Sequence, residues 1–114
     1  MPVQTLITYS YLNDISGGDM DFQRDIVITF LEEMVGEMDR MRQALAKEDW
    51  ETLGNVAHKM KAPIGMICVE VMRGLVLKIE NNSKDQVDLT FMPADVQQFL
   101  DYLELAMQQL RADL

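Results

Sequence analysis

His58 is the only imidazole in a chain of 114 residues, and it stands among small neighbours. On a helix, Gly54 falls one turn before it, Lys61 and Ala62 one turn after, and Gly65 two turns after. At about 100° per residue, all four lie within about 60° of His58 around the axis. Only the lysine carries bulk. Glycine costs a helix interior roughly 1 kcal/mol relative to alanine, so two on one face need a reason, and close approach by another molecule supplies one. The far side of the same helix holds Leu53, Val56, Met60, Ile64 and Ile67, spaced by three or four, an apolar stripe that must meet a core. His58 is therefore expected to point into solvent.

Several chemistries are closed to such a histidine. One histidine and one cysteine, Cys68, ten residues apart on different sides of a helix fall short of a zinc site, and no Glu-x-x-His pair occurs. No serine or cysteine sits in a nucleophile elbow, and no glycine-rich phosphate loop is present. The imidazole remains as a nucleophile in its own right. A neutral ring nitrogen can attack a phosphoryl group and hold it as a phosphoramidate, with Lys61 balancing the new charge. The small side chains let a donor come close enough for in-line transfer. Met66 lies to one side of this face, where it is expected to meet a partner. The sequence places no acid beside His58 to orient a hydrolytic water, which favours keeping the phosphoryl group.

Composition narrows the setting. The length predicts one domain over residues 1–114, with a core from about 9 to 110, and the 48% apolar content predicts a globular one. A net charge of −9 argues against nucleic acid. Between Gly54 and Lys78, however, Lys59, Lys61, Arg73 and Lys78 face only Glu70, so the His58 region is locally positive. No apolar run approaches a membrane span, and the single cysteine fits a reducing compartment, so a cytoplasmic location is expected.

The elements that must position His58 follow from apolar periodicity. Tyr9–Ser16 reads as a short helix broken by Gly17-Gly18, after Met1–Thr8, which carry little signal and fray or lie against the bundle. Asp19 caps a long helix to about Lys47, with Val27, Leu31, Met34, Met38, Met41 and Leu45 inward and Phe22, Ile26 and Phe30 widening the stripe. The His58 helix runs from about Asp49 to Ile67; Pro63 predicts a kink rather than a stop, because the stripe stays in phase beyond it. After a turn at Cys68, a third helix reaches about Asn81, Asn82–Met92 reads as a polar loop, and Pro93 opens the last helix. Four such helices with short connections predict an all-α, antiparallel up-down four-helix bundle with a short extra N-terminal helix. Core filling accounts for most of the ten methionines. A monomer is expected, since the bundle can satisfy every stripe internally.

The segment Trp50, Leu53, Ala57-His58-Lys59-Met60-Lys61 resembles the signature of the histidine phosphotransfer (HPt) domain around its phosphorylated histidine. Leu12, the Ser16–Asp19 break, Phe22, Phe30-Leu31 and Leu75–Glu80 extend the likeness over about residues 9–110. The resemblance implies that His58 is the phosphoacceptor, Lys61 the phosphate-stabilising cation and Gly65 a clearance position; Gly54, Ala62 and Met66 complete the expected partner-binding face. It implies response-regulator receiver domains as partners, with a hybrid sensor histidine kinase as a further candidate. It also implies a carrier rather than an enzyme, with no cofactor of its own and Mg²⁺ on the receiver. Ala62 and Cys68 stand where that family commonly has glycine, and Pro63 is atypical. His58, Lys61, Pro63 and Ile64 also resemble the phosphoacceptor box of sensor histidine kinases, but Lys59 and Ala62 replace its usual acid and its hydroxyl or amide residue. A third reading is a pure interaction bundle in which His58 is incidental.

Overall fold

The computed structural model describes residues 5–114. Among them lie α1 (Ser10–Ser16), α2 (Met20–Ala46), α3 (Trp50–Ile67), α4 (Glu70–Asp85) and α5 (Met92–Ala112), with one 3₁₀ turn at Leu89–Phe91. α3 packs against α2 and α4, and α5 closes the ring against α4 and α2. This is the antiparallel up-down bundle that the periodicity predicts, with α1 as the short extra helix against α2 and α3.

Local chemistry sets the ends of the helices. The Asp19 carboxylate accepts from the Phe22 N–H at 3.1 Å, and Asp49 accepts from the Thr52 N–H at the same distance, each satisfying an orphan donor of a first turn. Gly17 and Gly18, at φ +61° and +89°, make the left-handed break between α1 and α2. α3 continues unbroken through Pro63 to Ile67. The predicted inward stripe of α3 is buried in full, as are the six predicted core residues of α5.

Two expectations are corrected. Residues 1–4 lie outside the described residues, but Leu6 and Ile7 belong to the core, which therefore begins earlier than residue 9. The turn between α3 and α4 leaves backbone groups without helical partners, and the N-terminal segment satisfies them. The Thr8 N–H donates to the Ile67 carbonyl at 2.8 Å, and the Val69 N–H to the Leu6 carbonyl at 3.0 Å. α4 also runs on to Asp85, so that the first residues of the expected loop are helical. Asn81–Lys84 carries no apolar period, yet Ser83 is buried where α4 meets Gly54 of α3. Packing overrides a weak local signal there.

Cys68, which replaces a glycine common in the resembling family, adopts φ −98° and ψ 158°, an extended conformation open to any residue. Burial pushes its thiol pKa up to about 12, which leaves the sulfur protonated and inert.

Candidate functional site

His58 projects from the middle of α3 with its side chain 62% exposed. The residue before it, Ala57, is fully buried, and so is Met60. The helix thus presents the imidazole to solvent by anchoring its neighbours in the core. Ala62, one turn on, is exposed, and Met66 is half-buried at the edge of the core.

The ring does not stand free. Its Nδ1 lies 2.5 Å from Oε2 of Glu80, which reaches across from α4. The same carboxylate receives Lys61 Nζ on Oε1 at 2.9 Å and Lys84 Nζ on Oε2 at 3.0 Å. Only 3% of the Glu80 side chain is exposed, because these three polar groups cover it. Sequence reasoning found no acid beside His58, and this one corrects it. A signal was present: Glu80 continues the stripe Met72, Val76, Ile79 onto Ser83, and a charged residue on a core stripe has to be paired. Glu37 on α2 repeats the pattern from the other side of α3. It is 4% exposed, pairs with Arg40 within its helix, and reaches Lys59 Nζ at 3.2 Å. α3 is thereby held on both flanks by a buried carboxylate carrying two cations.

The Lys61 hydrogen bond, foremost, with those from Lys84 and His58, holds the Glu80 carboxyl at about 2 against an ordinary 4.5, while burial opposes the shift. Folding is thus favoured wherever the unfolded chain would bind a proton that the folded one refuses. The contribution is complete above about pH 4.5 and is lost as pH falls from there toward about 2. It is on the order of 1–2 kcal/mol after allowance for solvent screening of the cations. Melting curves of wild type and Glu80→Gln are expected to differ at about pH 7, to draw together below about pH 4.5 and to converge only toward about pH 2. A gap that stays constant over that range would show that the carboxylate's charge contributes nothing.

Of the two glycines expected to clear a partner's path, Gly54 does something else. Gly54 is buried against α4: a Cβ there would stand 3.3 Å from both Ser83 Cβ and Lys84 Cγ. Its missing side chain lets the two helices approach, which brings Glu80 within reach of His58. Gly65 is half-buried, and a Cβ there would meet Arg73 Cδ at 3.2 Å. Both positions receive side chains of α4. Of the expected open face, Ala62 is the position left bare to solvent.

Among the described residues no group of three or more His, Cys, Asp or Glu side chains could hold a metal ion, and no helix is long and apolar enough to cross a membrane. What the site offers is one exposed imidazole, a carboxylate behind it and cations beside it.

Comparison with curated proteins and with solved structures gave no match. The family model of the Hpt domain, by contrast, matches residues 25–113, which take in α3, α4, α5 and most of α2. With that match over most of a helical bundle, the chain belongs to the Hpt domain family, the phosphotransfer modules of two-component phosphorelays.

Proposed function

We propose that this domain accepts a phosphoryl group from the aspartyl phosphate of a receiver domain on His58 and passes it to another receiver. The observation that carries the reading is the Glu80–His58 contact on an otherwise exposed ring. A carboxylate at Nδ1 selects the neutral tautomer whose proton sits on that nitrogen, which leaves the Nε2 lone pair on the solvent side. Nε2 attacks phosphorus, an N–P bond forms, and the P–O bond to the donor aspartate breaks with its carboxylate as leaving group. The ring becomes cationic and keeps its Nδ1 proton against Glu80, whose negative charge stabilises the product. No proton need be lost in either direction, so transfer onward is the same step reversed.

Lys61 is held 2.9 Å from Glu80 in the resting state. With 40% of its side chain exposed, it has room to turn toward a bound phosphoryl group as a point cation. The divalent ion of the transfer belongs to the receiver in this reading, and the chain acts as a carrier.

The test is direct. A receiver domain charged with acetyl phosphate is mixed with the protein, and the label is followed by its stability and by peptide mapping. Label on His58 that survives base and is lost in acid is the expected result; label elsewhere, or none, ends the proposal. Glu80→Gln is expected to slow transfer by roughly 10- to 100-fold, the range of a lost orienting and charge-stabilising partner.

A further inference from the structure

Glu80 is met by two lysines, and they reach it in different ways. Lys61 comes from α3, the helix that bears the ring, and donates to Oε1 at 2.9 Å. Lys84 comes from Glu80's own helix, four residues on, and donates to Oε2 at 3.0 Å. Oε2 is also the oxygen that lies 2.5 Å from Nδ1 of His58. The two ends of the carboxylate thus have separate duties. Oε1 takes Lys61, while Oε2 turns one lone pair to the ring and the other to Lys84.

The two cations also differ in how they are held. A Cβ on Gly54 would stand 3.3 Å from Lys84 Cγ, so the stem of this lysine lies along the bare backbone of α3. Glutamate followed by lysine four residues later is the favourable order on one helix. Lys84 moreover sits in the last turn of α4, where the helix dipole favours a cation. Backbone, stem and dipole therefore all fix its ammonium at Oε2. Lys61 is three residues beyond His58, and turning it toward a phosphoryl group on Nε2 frees Oε1 but leaves Oε2 as it was.

That turn exposes the carboxylate to a hazard. Only 3% of the Glu80 side chain is exposed, and the Lys61 hydrogen bond is foremost among the contacts that keep it ionised. A carboxylate so enclosed, stripped of both cations, would draw the Nδ1 proton onto itself. The N–P bond would then have to break toward an imidazolate, a far poorer leaving group than the neutral imidazole. We propose that Lys84 is the positioning residue that keeps Glu80 ionised and aimed at Nδ1 during transfer, while Lys61 leaves it for the phosphoryl group. The proposal rests on His58 being the acceptor and divides the two lysines into a fixed cation and a travelling one.

The experiment compares the whole domain with Lys84→Met, Lys84→Arg and Lys61→Met, using a phosphorylated receiver as donor and phosphoramidate to prepare the phosphorylated forms. Methionine keeps an apolar stem and removes the charge. Lys84→Met is expected to lower the saturating transfer rate roughly tenfold at a similar KM, and Lys84→Arg to recover most of it. Nitrogen-15 resonances of the His58 ring report the Nδ1 proton directly. In Lys84→Met that proton is expected to stay on Nδ1 before phosphorylation, when Lys61 still holds Glu80, and to be lost from it afterwards. In Lys61→Met it is expected to stay in both states. A wild-type transfer rate in Lys84→Met, a loss confined to KM, or an Nδ1 proton that persists in its phosphorylated form would each overturn the proposal. Failure of the unaltered domain to take label on His58 would instead remove the acceptor reading on which it rests.

Discussion

His58→Gln is expected to take up no phosphoryl group from a receiver or from phosphoramidate, while melting within a few degrees of wild type. Both halves follow from the surroundings of the ring. The imidazole is the only nucleophilic nitrogen of its kind in the chain, and an amide cannot replace its lone pair. Structurally, the side chain is 62% exposed, and Glu80 keeps Lys61 and Lys84 when the ring is gone. The carboxylate therefore stays charged and paired, and the loss is expected to stay near 1 kcal/mol or below. Circular dichroism and a thermal melt check the fold, and radiolabel checks the chemistry. Undiminished labelling of this variant would move the acceptor elsewhere and sink the proposed function.

Gly54→Leu is expected to cost about 2–4 kcal/mol and to lower the melting temperature by roughly 10–15 °C. Even a single Cβ would stand 3.3 Å from Ser83 Cβ, and a leucine adds three more carbons to a seam already tight at that distance. α3 and α4 have to separate or rotate. Because Glu80 projects from α4 toward a ring on α3, that movement also breaks the 2.5 Å contact at Nδ1. The variant should thus lose transfer rate as well as stability. Gly54→Ala is the control: the methyl group crowds Ser83 and Lys84 by only a few tenths of an ångström while alanine gains helix propensity. Its net change is expected to stay within about 1 kcal/mol. A leucine variant as stable as wild type would mean that the helices are not in contact at this glycine.

The bundle itself was legible in the sequence because a helix must bury its apolar stripe, and the stripes of α2, α3 and α5 are long and regular. The exposure of His58 was legible for the same reason. Once Leu53, Val56, Met60, Ile64 and Ile67 face inward, the residue opposite them faces out. The family likeness around Ala57–Lys61 added the expected chemistry.

What touches His58 was decided only by the tertiary structure. Glu80 lies 22 residues away, and periodicity within one helix does not say which neighbouring helix packs on which flank. Small residues beside the histidine suggested an open face, yet a glycine reads alike whether it admits a foreign molecule or the next helix, and Gly54 does the latter. Nor did the polar run Asn82–Lys84 announce itself as helix, since what holds it is the close seam against Gly54 of α3 and the Lys84–Glu80 pair rather than local preference. Sequence determines which side of each helix turns inward, because that is a property of a single segment. The partners of a side chain depend on how separate segments meet, and here that meeting supplies the carboxylate behind the ring.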